Sequence, residues 1–191
     1  MEKVLRAAGA TRISVSQHEE DRLRFWAGRK NAFPAAGRVS PDYYCMDGTI
    51  PRRRLGEVLK AIAAMEIKYA LRCPNVFHAG DGNLHPLILY DANDADSHAR
   101  AEAFGTEILE LCVKVGGTVT GEHGVGVEKL DTMCQQFDAA TLQAFYGVRR
   151  AFDPAQILNP GKAIPTLARC AEFGRMHVHG GRTPFAGLPR F

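Results

Sequence analysis

The stretch from Asn75 to Tyr90 reads N-V-F-H-A-G-D-G-N-L-H-P-L-I-L-Y and decides the fold. Asp81-Gly82 lies between two apolar, β-forming runs, which is a strong signal for a hairpin with a two-residue turn. Such a turn would pair His78 directly with His85 and place their Cβ atoms roughly 5 Å apart on one face. The sequence therefore predicts a hairpin that brings two histidines together.

Two imidazoles at that separation can bind one metal ion. The alternative is a pair of histidines that simply pack on the face of a sheet. A single histidine would favour packing, whereas two histidines in register across a tight turn favour a metal site.

Outward from this hairpin, helical and β patterns alternate irregularly along the chain. Helices are predicted over 2–8, 19–32, 52–69, from an N-cap at Asp96 to Gly116-Gly117, and from an N-cap at Asp138 to Asp153-Pro154. Strands are predicted over 11–16, 42–50, 75–78, 84–90 and 118–120, with a loop over 34–41. The absence of regular β-α-β alternation favours an α+β domain, with a largely antiparallel sheet and helices packed on one face.

A second chemical signal is Gly121-Glu122-His123-Gly124-Val125-Gly126. Glu122 could complete a His/His/Glu ligand set and leave an open position for substrate, and His123 would then be free to act as a base. Neighbouring side chains of a regular strand point to opposite faces, so both residues can reach one substrate only if the glycines let the backbone turn. The glycine spacing differs from the dinucleotide-binding fingerprint, so it does not favour a Rossmann fold.

Composition narrows the class of protein. The chain has 191 residues and a net charge of +3, and its basic residues are scattered except at Arg52–Arg54, which we interpret as a solvated first helical turn. No aromatic or second basic cluster accompanies that run, so nucleic-acid binding is not expected. The first residues, M-E-K-V-L-R, lack the apolar run of a secretory signal, and no stretch is long and apolar enough to span a membrane. The five cysteines are widely spaced and form no C-x-x-C motif, which predicts reduced thiols and a cytoplasmic protein. Peripheral attachment to the inner membrane through partner subunits is the alternative.

A third segment, Leu158-Asn159-Pro160-Gly161-Lys162, is by itself only typical of a turn. Together with H-A-G-D-G-N-L-H and G-G-T-V-T-G-E-H-G-V-G-V-E-K, however, it forms an ordered set that resembles the C-terminal half of the FAD-linked oxidase family that includes vanillyl-alcohol oxidase. W-A-G-R-K at 26–30, S-P-D-Y-Y-C-M-D-G-T-I-P at 40–51 and R-C-A-E-F-G-R-M-H-V-H at 169–179 resemble the glycolate-oxidising members more specifically. The resemblance covers essentially the whole chain.

The resemblance implies a role for each candidate residue. The implied metal ligands are His78, His85 and Glu122, for a divalent ion such as Zn, Mn or Fe. The implied base is His123, and Arg29 is the implied partner of the substrate carboxylate. Asn83, Asn159 and Lys162 are implied to lie at the FAD. The activity implied is oxidation of glycolate or D-lactate to the 2-oxo acid, with hydride transfer to FAD. Large dicarboxylate substrates are not expected, because the lysine and threonine found in relatives that use them are replaced by Cys45 and Phe33.

The resemblance also predicts the domain organisation. Residues 1–135 would form a cap, or substrate-binding, domain, and residues 136–191 a helical return segment and tail. The FAD-binding domain of the family is absent from this chain, so an FAD-binding domain or subunit and other oxidase subunits are expected partners, and the isolated chain is expected to be inactive. Self-association through the exposed flavin-facing surface is also expected. The alternative is a non-catalytic metal-binding or assembly module that has lost its flavin-binding half.

Overall fold

The computed structural model describes residues 1–165, and the remainder of the predicted tail, with its R-C-A-E-F-G-R-M-H-V-H motif, lies outside them. The helices are α1 Glu2–Ala7, α2 Glu19–Lys30, α3 Ala32–Ala36, α4 Leu55–Tyr69, α5 Ala95–Lys114, α6 Leu130–Gln136 and α7 Ala139–Phe152. A 3₁₀ turn at Arg52–Arg54 precedes α4. The strands are β1 Asp42–Cys45, β2 Gly48–Thr49, β3 Asn75–His78 and β4 Asn83–Tyr90. None of these helices is long and apolar enough to cross a membrane.

The strand β4 is the centre of the sheet. β1 pairs with its C-terminal half, and β2 and β3 pair with its N-terminal half. Every one of these pairings is antiparallel. The predicted α+β class with an antiparallel sheet is therefore confirmed.

Side chains of β4 alternate between two faces, as they must in a strand. Leu84 and Ile88 belong to the main core, which α4 and α5 cover through residues such as Ile62 and Phe104. The opposite face carries a smaller apolar cluster of Ala36, Leu87 and Leu89, against which Phe33 and Cys45 pack. His85 shares this second face because it lies two residues from Leu87. The main core is thus kept separate from the face that carries the histidines.

The hairpin register differs from the predicted one. His78 pairs with Asn83 and Val76 pairs with His85, so four residues, 79–82, connect the strands instead of two. The connection is closed by the carbonyl of His78, which accepts from the amides of both Asp81 and Gly82 at 3.0 Å. The register shift is two residues, and an even shift leaves every side chain on its original face. The histidines are therefore diagonal neighbours on the same face.

Two β predictions are wrong. Residues 11–16 form no strand and are largely exposed, because alternation alone does not make a strand without a partner to hydrogen-bond. Residues 118–120 form no strand either, but Thr118 makes an isolated bridge to Thr49.

The helix predictions are confirmed in outline and corrected at their ends. The N-cap of α5 is Asp94, whose carboxylate accepts from the amide of Asp96, so the cap lies two residues earlier than predicted. Asp138 caps α7 as predicted. The short helix α3 spans the end of the helix predicted over 19–32 and the start of the loop predicted over 34–41, and α6 was not predicted. α6 packs through Met133 and Cys134 in a separate small core with Leu142 of α7.

Candidate functional site

The hairpin places the two predicted histidines side by side. The ring centroids of His78 and His85 are 5.4 Å apart. His85 is 4% exposed, because it lies on the central strand. His78 ends the neighbouring strand, and 46% of its side chain is exposed. The pair thus has one rigid, buried member and one that faces solvent.

The predicted carboxylate reaches both histidines from a different segment. Glu122 Oε1 lies 2.7 Å from His85 Nε2 and 3.9 Å from His78 Nε2. The donor atoms of the three residues all lie within 4.8 Å of one another. In a tetrahedral zinc site with bonds near 2.05 Å, ligand atoms are about 3.3 Å apart. The set therefore suits a metal ion in donor type and approximate spacing.

His123 lies at the same place as Glu122 although the two are neighbours in sequence. Its Nε2 is 3.7 Å from Glu122 Oε1, and its ring stacks on that of His85 at 5.0 Å between centroids and 15° between planes. Residues 121–123 are not part of a strand, so the alternation that would separate the two side chains does not apply. The predicted relaxation of the backbone around the glycines is therefore seen.

A buried ion pair that sequence reasoning missed holds this turn. Asp47 is 0% exposed and Lys129 is 3% exposed, and Lys129 Nζ donates to Asp47 Oδ2 at 3.2 Å. The Asp47 carboxylate also accepts from the amides of Gly121, Glu122 and His123 at 2.8–3.1 Å. Successive amides that converge on one anion form a nest. Here the anion belongs to the protein itself.

The same donors keep Asp47 ionised. Burial by itself would raise the pKa of the carboxyl group, but the hydrogen bonds from the His123 amide and the Thr120 hydroxyl, together with the Lys129 ammonium, hold that pKa well below its ordinary range. Asp47 lies between β1 and β2 and Lys129 directly before α6. A lone Asp and a lone Lys in those segments carry no local signal of a pair, although Lys129 ends the G-E-H-G-V-G-V-E-K motif.

Glycine is required where the turn meets the hairpin. A Cβ atom at Gly121 would lie 2.3 Å from Asn83 Oδ1, far closer than van der Waals contact allows. Asn83 is consequently covered, with 8% of its surface exposed. Its Oδ1 has no hydrogen-bond partner among the described residues. Asn83 therefore packs against Gly121, whereas Gly121 and Glu122 are themselves exposed.

The return segment reaches the same turn. The amide of Ala163 donates to the carbonyl of Gly126 at 2.8 Å. Lys162 and His123 both line a cavity of about 250 Å³, together with residues 124–129 and Cys45. Asn159 is exposed, and its carbonyl accepts from Arg149 at 2.8 Å. The structure thus brings Lys162 to the histidine cluster and places Asn159 at the surface beyond it.

Arg29 is not brought into the cluster. It lies exposed near the C-terminal end of α2, and no hydrogen bond or ion pair joins its side chain to another residue within 1–165. Phe33, three residues beyond the end of α2, contacts the His85 ring edge-on, with 6.3 Å between the ring centroids.

Comparison with known proteins assigns the class to which this fold and site belong. Residues 1–163 match the family described as FAD linked oxidases, C-terminal domain, and the chain belongs to that family. It is 62% identical to glycolate oxidase subunit GlcD of Escherichia coli (strain K12) over 188 residues, 98% of this chain and 38% of the relative. It is 35% identical to glycolate oxidase subunit GlcD of Bacillus subtilis over 169 residues, 88% of this chain and 36% of the relative. It is also 31% identical to a probable mitochondrial D-lactate dehydrogenase of Danio rerio over 165 residues, 85% of this chain and 33% of the relative. The chain thus spans between a third and two fifths of the length of these relatives.

Proposed function

We propose that this chain is the C-terminal part of a flavin-dependent dehydrogenase or oxidase that converts a small 2-hydroxy acid, glycolate or D-lactate, to the 2-oxo acid. One observation carries the proposal: His78, His85, Glu122 and His123, from three separate segments, converge at one point. Membership of the FAD-linked oxidase family and the similarity to glycolate oxidase subunits and a probable D-lactate dehydrogenase support it.

In this proposal His78, His85 and Glu122 hold a divalent metal ion such as Zn, Mn or Fe. Two imidazoles and one carboxylate are a common ligand set for catalytic metal ions and leave a position for substrate. A bound metal ion would polarise the hydroxyl oxygen of the substrate and favour its deprotonation. Without a metal ion, the same three residues amount to a histidine–carboxylate contact of 2.7 Å.

His123 is the proposed general base. Its side chain is 48% exposed and lines the cavity next to the ligand set, so it can meet a substrate there. Nε2 of its imidazole, which lies 3.7 Å from Glu122 Oε1, would take the hydroxyl proton. A bound flavin would supply the acceptor for the hydride, which leaves the carbon that bears the hydroxyl group.

Arg29 is the proposed partner of the substrate carboxylate, through a bidentate, charge-assisted contact. Two features support this role. Its guanidinium is uncommitted among the described residues, and α2 ends only three residues before Phe33, which contacts His85.

The flavin-facing side of the chain is proposed to be the surface around the return segment. Phe152, Ile157 and Leu158 are 84%, 75% and 58% exposed, and exposed apolar side chains in one segment are typical of a surface that a partner covers. We propose that an FAD-binding domain or subunit covers it, with Asn159 and Lys162 at the cofactor. Residues 1–135 would then form the substrate-binding cap and residues 136–191 the return segment.

Metal and flavin analysis of the protein, together with steady-state oxidation of glycolate and D-lactate, tests the proposal. We expect one divalent metal ion per chain in the protein complete with its flavin-binding part, and turnover that falls in His123→Ala but not in His98→Ala. His98 is an exposed histidine of α5 outside the cluster and serves as the matched control. Bound metal without flavin or turnover would instead favour a non-catalytic metal-binding module.

A further inference from the structure

The buried histidine His85 has donor side chains on both sides. Cys45, at the end of β1, is paired with Leu87, so on the same face of the sheet it is a diagonal neighbour of His85. His78 has the corresponding place on β3, on the other side of β4. The central imidazole is thus flanked by an imidazole on one side and by a thiol on the other.

Cys45, His85 and His123 form a second group of three donors. One ligand atom from each lies within 4.8 Å of the others, as in the His78, His85 and Glu122 set. Cys45 is a half-buried free thiol, and the one hydrogen bond of its Sγ to the described residues is a weak one, donated to the carbonyl of Met46 at 3.7 Å. Nδ1 of His85 is buried and has no hydrogen-bond partner within residues 1–165. These atoms are placed to bind a ligand but are weakly committed to the fold.

We propose that Cys45, His85 and His123 form a second binding site, which shares His85 with the first and suits soft or borderline thiophilic metal ions such as Cd²⁺, Zn²⁺ and Cu⁺. Ligand type separates the two sets. A thiolate selects soft or borderline ions, whereas a carboxylate in its place also suits harder ones such as Mn²⁺. The ligand thiol releases its proton when the metal binds.

The two sets cannot be filled independently. A neutral imidazole has one lone pair, so His85 serves one ion at a time. An ion on the Cys45 set also takes the lone pair of His123. If the proposed function holds, the second site is therefore inhibitory, because it removes a metal ligand and the base together. The binding itself does not depend on that function.

Cd²⁺ titration of the full chain, followed by the ultraviolet sulfur-to-cadmium charge-transfer absorbance, tests the site. We expect a band that saturates at one ion per chain in the unchanged protein and in His78→Ala, which disrupts only the first set. Cys45→Ala should lose the band, because the first set, which that variant leaves intact, has no sulfur ligand. Cys112→Ala is the matched control, because it removes a thiol from the main core on the other face of the sheet.

A second readout identifies the thiol directly. Saturating Cd²⁺ should protect Cys45 from alkylation, as measured on the peptide that contains it, and His123→Ala should abolish that protection. A band that persists in Cys45→Ala, no band in the unchanged protein, or alkylation of Cys45 that Cd²⁺ does not slow would each overturn the proposal. Failure of the proposed function is distinguishable, because it would leave the Cd²⁺ band intact while glycolate and D-lactate are not oxidised.

Discussion

Asp47 and Glu122 lie on opposite sides of the turn formed by residues 120–123. Asp47 lies beneath it, 0% exposed, and accepts hydrogen bonds from backbone amides, a hydroxyl and the Lys129 ammonium. Glu122 lies above the turn with 52% of its side chain exposed, and its ionisable neighbours are the three histidines His78, His85 and His123. The lower carboxylate has its hydrogen-bonding capacity filled by the fold, whereas the upper one is left available to bind.

This difference indicates a division of labour. A buried carboxylate is tolerated only when it is fully paired, so the lower region stabilises one backbone shape. That shape in turn presents two adjacent side chains to the same space, which a strand could not do. Substitutions below the turn should therefore lower the free energy of unfolding, and substitutions above it should change binding and turnover.

The largest expected effect is on the upper side. His123→Ala in the complete protein should lower turnover by about 100- to 10,000-fold, the usual consequence of removing a positioned general base. Excess divalent metal should not restore activity, since no metal ligand of the proposed set has been lost. The measurement is the steady-state rate with glycolate and D-lactate, with His98→Ala as control. Rescue by added metal would mean that His123 is a ligand and not the base.

The second largest effect is expected on the free energy of unfolding, for a substitution below the turn. Asp47→Ala leaves Lys129 buried without its counter-charge and the three amides without an acceptor. Breaking a buried pair in this way typically costs about 3–5 kcal/mol. Urea denaturation of the full chain measures the loss.

A double variant separates the cost of the uncompensated Lys129 charge from the cost of lost packing. Adding Lys129→Met to Asp47→Ala removes the uncompensated charge, so the double variant should recover part of the stability. If Asp47→Ala unfolded at the same urea concentration as the unchanged protein, the turn would not depend on the pair.

An intermediate effect is expected for Glu122→Gln. The amide keeps the shape of the side chain but removes the charge that a divalent ion needs, so metal affinity should fall by at least about 10- to 100-fold. Turnover should return in part with excess metal, unlike that of His123→Ala, and the urea midpoint should hardly change. Glu128→Gln, an exposed carboxylate of the same loop, is the control for charge alone. Equal metal affinities in the two variants would contradict the proposed ligand set.

The comparison also shows where sequence reasoning reaches its limit. The hairpin and the faces of its histidines could be predicted, because alternation and a turn signal are local. The register of the hairpin could not be predicted, because its connection packs against a segment far away in sequence. The carbonyl of Gly82 accepts from the amide of Ile50, and a Cβ at Gly82 would lie 2.1 Å from the Ile50 carbonyl oxygen. That connection is held by a distant segment. Asp47 and Lys129 are 82 residues apart, and no spacing pattern joins them.

The upper side was more predictable than the lower for a chemical reason. Histidine and glutamate together in a glycine-rich segment suggest ligand chemistry whatever the fold, so Glu122 and His123 stand out in the sequence. An aspartate and a lysine are ordinary surface residues, and only burial gives this pair its importance. Arg29 shows the opposite limit, since its role is implied by resemblance and the described residues leave it exposed.

The smallest expected effect is that of Arg54→Ala, which tests whether burial, and not distance, sets the strength of an ion pair. Arg54 Nη1 lies 2.7 Å from Glu57 Oε2, closer than the 3.2 Å between Lys129 and Asp47, yet both side chains of the first pair are about half exposed. Exposed ion pairs typically contribute about 0–1 kcal/mol, and Arg54 also precedes the N-terminus of α4, where a positive charge opposes the helix dipole. The two contributions partly cancel, so Arg54→Ala should change the free energy of unfolding by no more than about 0.5 kcal/mol in urea denaturation. A loss as large as that of Asp47→Ala would show that the shorter contact is the stronger one, and the contrast between the two sides of the turn would then not rest on burial.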